Sequence, residues 1–396
     1  MELWFLELIK GLGRMFIQPY LYIAVLMVLF LSQRRIKEER KAFGTRIFDR
    51  FSEWKGTLAT SLIAGGCLSI FSLGAGMVLP LSFLWLLGLA LILVSLPLKL
   101  SMYSASYSLG ITALMLLALP YMPEYGPIES WKVSLLETPM TSIAVLMSVM
   151  LFVEAVLLLR TSKAQTFPER IKGSRGMWTG QHRSTKMAIV PFVALFPAGS
   201  IEALASWWPL LHIGEESFGL VLVPFVIGWE WVAKGQSPEK VAKTIGRHTF
   251  VVAIFVLLLT IGSIIYNPLS LAAIGAGLVG RIFIQVLHRL KEGGQSFFSP
   301  DARGLRVLGV IPKSPGAQMG LTPGELIVRV NARQVRTERQ FYEALQLNGG
   351  FNKIEVRDEW GENRYVQRAL YEGEHYELGL VFLEPPEREE TVGLYV

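Results

Sequence analysis

Long apolar stretches alternate with short basic segments over the first 290 residues of the chain. Crossing about 30 Å of hydrocarbon takes roughly 20 apolar residues in a helix, because only intrahelical hydrogen bonds satisfy the backbone in lipid. Nine stretches approach that length, and we predict that each is a membrane-spanning helix. They are residues 15–31, 58–79, 81–98, 103–121, 140–159, 187–208, 218–232, 249–266 and 269–287.

The basic residues lie almost entirely in every second loop between these predicted spans. The remaining loops carry only Lys10, Arg14 and Lys132. Because loops rich in Lys and Arg stay in the cytoplasm, this asymmetry predicts an outer N-terminus and a cytoplasmic location for everything after the ninth span.

Composition supports a membrane protein. Of 396 residues, 52% are apolar and 18% are charged, with a mean hydropathy of +0.42, whereas soluble proteins carry about 25% charged residues. The excess of Lys and Arg (38) over Asp and Glu (32) is concentrated in loops, so we read it as an orientation signal and expect no nucleic-acid partner. The single cysteine, Cys67, excludes an intramolecular disulfide.

Four charged residues fall inside predicted spans, where a charge costs several kcal/mol and needs a partner. Glu202 and Arg281 are nearest to mid-span, and we hypothesise that they form an ion pair. Glu154 and Glu230 lie near the cytoplasmic ends, where we expect them to extend toward water. A proton or ion path is the alternative, but we find no internal repeat of the kind that transporters show.

A basic amphipathic segment follows the first predicted span. Between Arg34 and Lys55, apolar residues recur at spacings of seven, four, four and three, which places them on one face of a helix. Such a helix lies in the lipid headgroup layer or packs against the C-terminal domain. The candidate membrane-surface or partner-binding residues are Arg34, Arg35, Lys37, Arg40, Lys41, Phe43, Phe51 and Trp54.

After about residue 297 the pattern changes to short strands with turn sequences. We predict strands at 305–311, 326–330, 353–357, 364–370 and 376–382, with one helical turn near 314–321. Thr337 and Gln340 form a capping box that begins a helix with Phe341, Ala344 and Leu345 as its apolar stripe. Asn348-Gly349-Gly350 is expected to end that helix.

This order, together with the run GVIPKSPGAQMGLTPGELIVRVNARQV, resembles a circularly permuted bacterial PDZ domain over residues 300–383. The resemblance implies an extended peptide added to a sheet edge. It implies a carboxylate-binding loop at Leu378, Gly379 and Leu380, and an opposite groove wall at Phe341 and Leu345, although each apolar residue taken singly could equally be core. Ala332 departs from the glycine usual in such domains, which predicts a different turn there.

No catalytic motif accompanies this domain. A membrane metalloprotease needs HExxH to present two imidazoles to zinc, and none of the five histidines begins that motif. Ala198-Gly199-Ser200-Ile201 lacks the second glycine of a rhomboid Gly-x-Ser-Gly turn. We therefore predict no enzyme activity, no cofactor and no metal site, and we expect structural or interfacial roles for the histidines.

The whole chain, including the run RRIKEERKAFGTRIFDR, resembles the MinJ family of cell-division topological determinants. The resemblance implies a scaffold at the poles and septum that links DivIVA to the division inhibitor MinC and MinD. The alternative is a PDZ-regulated membrane protease or transporter whose site is unrecognised. The predicted fold is a polytopic α-helical membrane domain (1–291), a linker (292–299), a small, mainly β, PDZ-like α/β domain (300–383) and a tail (384–396).

Overall fold

The computed structural model describes residues 2–123, 126, 129–173, 176–203, 208–210, 217–294, 296–347, 351–369 and 378–383. Within these ranges the N-terminal region consists of helices around a three-stranded sheet, and the C-terminal region is a second, larger sheet with two short helices.

The helices of the N-terminal region are mostly apolar. Five of them, α2, α3, α7, α8 and α9, are long and apolar enough to cross a membrane, and α4 and α5 are shorter apolar helices. These seven correspond to seven of the nine predicted spans. The helices are α1 (Glu2–Phe16), α2 (Pro19–Phe43), α3 (Leu58–Ala75), α4 (Leu81–Ser95), α5 (Ala105–Ala118), α6 (Glu129–Leu136), α7 (Met140–Leu159), α8 (Pro238–Gly262) and α9 (Leu269–Lys291).

The other two predicted spans are not helices. Residues 187–202 fall on β2 (Trp178–Glu202) and residues 218–232 on β3 (Ser217–Ala233), while residues 204–207 of the first of these spans lie outside the described residues. Strands β2 and β3 form a long antiparallel hairpin, and β1 (Phe167–Lys172) pairs with the start of β2. The prediction of helices was wrong because a strand buried on both faces is a continuous apolar run, which periodicity cannot tell from a buried helix.

Helix α3 covers the outer edge of β2. Gly65 lies against the backbone of Pro191, where a Cβ atom would overlap the Pro191 carbonyl oxygen. The Ser69 hydroxyl oxygen accepts the Val193 N–H at 2.9 Å. After α3, the Leu79 N–H donates to the Leu195 carbonyl at 2.9 Å. In the described residues no strand pairs with this side of β2 beyond β1, and the helix and the residues after it satisfy the Val193 N–H and the Leu195 carbonyl instead.

Helix α1, which the sequence pattern did not predict, covers the opposite edge of the hairpin. Its Gly11 packs against Leu220 of β3, and the Arg14 guanidinium donates to the Leu220 carbonyl at 2.6 Å. Just after α1, the Gln18 side chain donates to the Leu222 carbonyl at 2.9 Å. The polar and glycine face of α1 thus meets the protein. Most of its large apolar side chains are exposed, whereas Trp4 packs against a buried apolar cluster.

The C-terminal region is an antiparallel sheet in the order β8-β7-β5-β4-β9, with β6 paired to β5. It has the predicted succession of strands and helices, and its core includes Phe341, Ile354 and Phe382. The elements are β4 (Leu305–Val310), α10 (Pro315–Gln318), β5 (Leu326–Val330), β6 (Arg333–Gln334), α11 (Glu338–Gln346), β7 (Phe351–Arg357), β8 (Asn363–Ala369) and β9 (Leu380–Phe382).

Two local predictions can be compared with the turns of this region. The N-cap at Thr337 is confirmed, since its hydroxyl accepts the Gln340 N–H at 3.2 Å, while the Gln340 side chain accepts the Arg336 N–H at 2.9 Å. The altered turn at Ala332 is not observed: Asn331 and Ala332 have φ of 49° and 67°, so alanine adopts the left-handed conformation that glycine favours. The predicted helix end at 348–350 and strand start at 376–377 lie outside the described residues.

Candidate functional site

A groove runs between the last strand of the C-terminal sheet, β9, and helix α11. We call it the C-terminal groove, and its cavity volume is about 480 Å³. One wall comes from the C-terminal domain and the other from residues that follow α2 and from β1. Its lining residues are Phe43, Thr45, Arg170, Ile311, Ser314, Pro315, Glu338, Tyr342, Gly379, Leu380, Val381 and Phe382.

The loop that begins β9 is fixed by backbone contacts. The Ile311 N–H donates to the Gly379 carbonyl, and the Gly316 N–H donates to the Leu378 carbonyl, both at 2.8 Å. Gly379 has φ of 69°, and a Cβ atom there would overlap the Ser314 side chain. Glycine is therefore required at this position for two independent reasons.

The predicted groove residues divide into two groups. Gly379 and Leu380 line the C-terminal groove. Phe341, Leu345 and Leu378 are fully buried in the domain core instead.

Helix α11 lines the C-terminal groove through Glu338 and Tyr342, which the sequence analysis missed. Both follow from the helical period, because residues four apart lie on one face. The strongly apolar stripe at Phe341 and Leu345 marks the neighbouring face, which points to the core.

Arg170 of β1 closes part of the C-terminal groove. Its guanidinium donates to the Phe382 carbonyl and to the Ala42 carbonyl, each at 3.1 Å, and lies 4.8 Å from the centre of the Phe43 ring. Because β9 is the last strand of its sheet in the described residues, Arg170 occupies a backbone acceptor at the edge where another strand would pair.

The basic segment between Arg34 and Lys55, which begins in the last turns of α2, packs partly against the C-terminal domain. Helix α2 ends at Phe43, because Gly44 adopts φ of 73° and caps it, so a helix reaching residue 55 was wrong. Ile47 and Phe48 join Phe43 in an apolar cluster with Val381 of β9. Phe51 remains exposed and stacks on Trp54 at 5.9 Å between ring centres.

The predicted cations of this segment differ in exposure. Arg35 is largely buried, 2.8 Å from a Glu53 carboxylate oxygen and paired also with Glu39, so it acts within the structure. Arg34, Lys37, Arg40 and Lys41 are exposed.

A second contact joins the two regions at His182 of β2. The buried ring donates from Nε2 to the Leu308 carbonyl at 2.7 Å, and Nδ1 lies 2.8 Å from the Thr166 hydroxyl. Burial lowers the pKa of His182 to about 4, since a buried cation loses its hydration. His182 thus has an interfacial position, and in the described residues no three His, Cys, Asp or Glu side chains are grouped as metal ligands.

The ion pair that we predicted for Arg281 forms with a different partner. Arg281 of α9 lies 3.0 Å from a Glu154 carboxylate oxygen on α7, with both side chains buried. The second Glu154 oxygen accepts the Ser104 hydroxyl at 2.8 Å and the Ala105 N–H at 3.1 Å. Glu202 is exposed at the end of β2, so the Glu202–Arg281 pair was wrong, because residues 187–202 lie on a strand and not on a helix beside α9.

The two remaining predictions about intramembrane carboxylates also change. Glu154 does not extend toward water, because it is buried beside Arg281. Glu230 pairs with Arg183 across the β2–β3 hairpin at 2.8 Å.

Comparisons with known proteins agree with this architecture. The family model for the PDZ domain matches residues 306–356. The cell division topological determinant MinJ of Bacillus subtilis (strain 168) is 31% identical over 98% of both chains. Probable MinJ proteins of Lacticaseibacillus paracasei and Lacticaseibacillus casei are each 24% identical over 44% of this chain and 47% of theirs. No solved structure matches the chain. On the strength of the full-length similarity, the chain belongs to the MinJ family of cell division topological determinants.

Proposed function

We propose that this chain is a noncatalytic membrane scaffold that links DivIVA, at poles and septum, to the inhibitor formed by MinC and MinD. Family membership supports a role in division-site selection. The observation that carries the proposal is the C-terminal groove, which lies along the outermost strand of a PDZ domain, where an extended partner segment can pair.

The groove suits a partner peptide that enters as an added strand. Main-chain hydrogen bonds to β9 would supply affinity, and side-chain pockets beside Tyr342 and Leu380 would supply specificity. The peptide must displace Arg170 from the Phe382 carbonyl. Breaking this hydrogen bond, which has a charged donor, costs the peptide roughly 1.5–3 kcal/mol of binding free energy. Arg170→Ala removes that cost and is therefore expected to strengthen peptide binding.

The proposed topology keeps the C-terminal domain in the cytoplasm. The hairpin replaces two predicted spans, so the number of membrane crossings before α9 falls by two. The residues after α9 therefore stay on the same side of the membrane, together with the basic loops. The exposed Lys37, Arg40 and Lys41 would then face anionic headgroups or partners. A reporter fused after Val396 should be active only in the cytoplasm, and activity on the outer side would contradict this arrangement.

The scaffold proposal is tested by localisation of fluorescent fusions in cells. Tyr342→Ala, in the C-terminal groove, should reduce recruitment of a labelled MinD to the septum severalfold. Arg339→Ala, on the exposed side of the same helix, should not.

Membrane insertion and thermal unfolding of both variants should first be matched to the parent chain. Normal MinD recruitment by a folded Tyr342→Ala protein would reject the groove as the contact. A uniform cell-envelope distribution of the parent fusion would reject the scaffold role.

A further inference from the structure

A second groove lies between α3 and α7, outside the C-terminal domain. We call it the α3–α7 groove, and its volume is about 420 Å³. Its walls are almost wholly apolar, and they include Ala64, Phe71 and Phe152. Only one end is polar, where Thr60 at the start of α3 meets Arg160, which follows α7.

The groove has the length of one membrane leaflet. Thr60 and Phe71 are eleven positions apart on α3, and so are Arg160 and Val149 along α7. A helix rises 1.5 Å per residue, so each wall is about 16 Å long, and half of the hydrocarbon core is about 15 Å. An acyl chain that begins at the headgroup level beside Arg160 would therefore end near Phe71.

The polar end offers an uncompensated cation. The Arg160 guanidinium donates to the Thr60 hydroxyl oxygen at 3.0 Å, and the side chain is exposed. Among the described residues no carboxylate lies within 4.0 Å of it. A guanidinium has five donors in a planar fork that matches a phosphate, so most of its hydrogen-bonding capacity is available at this point.

We propose that the α3–α7 groove binds one anionic phospholipid from the leaflet on the basic side, with an acyl chain along the groove and the phosphate at Arg160. A zwitterionic lipid would fill the apolar part but would bring a second positive charge close to the guanidinium. A free phosphate ion would gain nothing from the apolar walls. The combination of groove length and terminal charge therefore selects an anionic lipid.

Native mass spectrometry of the full-length protein, purified in detergent, tests the site. Phosphatidylglycerol and phosphatidylcholine with identical chains are titrated separately, and glycerol 3-phosphate serves as a headgroup without chains. We expect one phosphatidylglycerol to be retained at detergent concentrations that strip phosphatidylcholine, and no retention of glycerol 3-phosphate. Equal retention of the two lipids, or loss of both together, would overturn the proposal and indicate lipid of the general annulus only.

Two pairs of variants separate the charge from the groove. Arg160→Gln should weaken phosphatidylglycerol retention about tenfold, as expected for one charged hydrogen bond. Arg289→Gln, at the basic end of α9 and outside the groove, should not. Cys67→Phe, in the groove wall, should weaken retention of both lipids, whereas Leu62→Phe, exposed on the same helix, should weaken neither.

Retention by Arg160→Gln equal to that of Arg289→Gln would refute the phosphate contact even if Cys67→Phe behaves as expected. Thermal unfolding in lipid-free detergent identifies any variant that has lost its fold. These readouts are independent of peptide binding, so failure of the lipid site and failure of the scaffold role are distinguishable.

Discussion

The two sheets of this protein differ in how their outer strand edges are covered. The hairpin of β2 and β3 is flanked by α3 on one side and α1 on the other, and side chains such as Ser69, Arg14 and Gln18 satisfy its outer backbone groups. Among the described residues, Arg170 and a small apolar cluster lie against strand β9 of the C-terminal sheet. The first edge is part of a packed interior, and the second lies beside a cavity.

This difference follows from the hydrogen-bond partners that are available to the backbone groups at each edge. In a hydrocarbon environment no water would replace a lost hydrogen bond, and at the hairpin edges groups such as the Val193 N–H and the Leu220 carbonyl are paired within the chain. At β9 a partner strand can replace the Arg170 contact with several main-chain hydrogen bonds. The hairpin edges are therefore closed by the chain's own helices, whereas the edge of β9 is the one at which we propose that a partner pairs.

The largest effect is expected inside the helical region, at the buried pair. Arg281→Ala leaves Glu154 as an unpaired buried charge, which should cost about 3–5 kcal/mol of unfolding free energy. Glu154→Ala should cost a similar amount, and the double variant less than the sum, since each change removes the same interaction. Glu202→Ala, exposed on β2, is the control and should stay within about 0.5 kcal/mol. Additive losses at positions 154 and 281 in chemical-denaturant unfolding would contradict the pair.

The next effect concerns the edge of β2. Gly65→Leu places a side chain against the Pro191 backbone and should separate α3 from the hairpin, at a cost of about 1–3 kcal/mol or more. Gly66→Leu is a matched control, because a Cβ atom there meets nothing within 4 Å. Folded yield and melting temperature in detergent are the measurements. Equal melting temperatures for the two variants would show that α3 does not cover this edge.

Docking of the C-terminal domain on the hairpin is expected to depend on pH. His182 is neutral in the docked state because burial lowers its pKa to about 4, whereas an exposed histidine titrates near 6.5. The undocked state therefore binds more protons between these values, and docking weakens by up to about tenfold per pH unit as the pH falls.

Hydrogen exchange at residues 298–310, corrected for intrinsic rates, measures this dependence. His182→Gln should flatten it, and His248→Gln should not. If the pH dependence of hydrogen exchange is unchanged in His182→Gln, a titratable group other than His182 controls docking.

The smallest effect is expected within the C-terminal domain. Ala332 has φ of 67°, a conformation that costs an L-residue about 1–2 kcal/mol. Ala332→Gly should therefore raise the unfolding free energy by roughly 1 kcal/mol, whereas Ala317→Gly in α10 should lower it slightly. Neither change should alter hydrogen exchange in the hairpin. A loss of stability in Ala332→Gly would show that the turn does not carry this strain.

The C-terminal domain was readable from its sequence because its signals are local. Pro323 and Gly324 specify a turn, Thr337 caps a helix, and alternating residues mark β7, so each element is indicated within a few positions. The C-terminal groove was only partly predictable. Arg170 and Phe43 lie more than a hundred positions from β9 in sequence, and no local pattern places them beside it.

The hairpin was misread because its residues are buried on both faces. Val, Ile, Phe and Trp are abundant in β2 and β3, and Pro191, Pro197 and Pro224 would interrupt helices there. These residues favour strands over helices, but the uninterrupted hydrophobicity of both segments led to the prediction of membrane-spanning helices. Because β2 is a strand, Glu202 lies exposed at its end, and Arg281 pairs with Glu154 instead.

Signals within a few positions of one another were enough to indicate a membrane protein with a PDZ-like C-terminal domain, because hydrophobicity, basic loops and turn residues act over short distances. Contacts between distant segments were needed to show that two apolar stretches contain strands, that Glu154 pairs with Arg281, and that Arg170 lies over β9. The reason is physical: whether a buried segment satisfies its backbone along a helix or across a sheet depends on the neighbours that cover its edges, and those neighbours are distant in sequence.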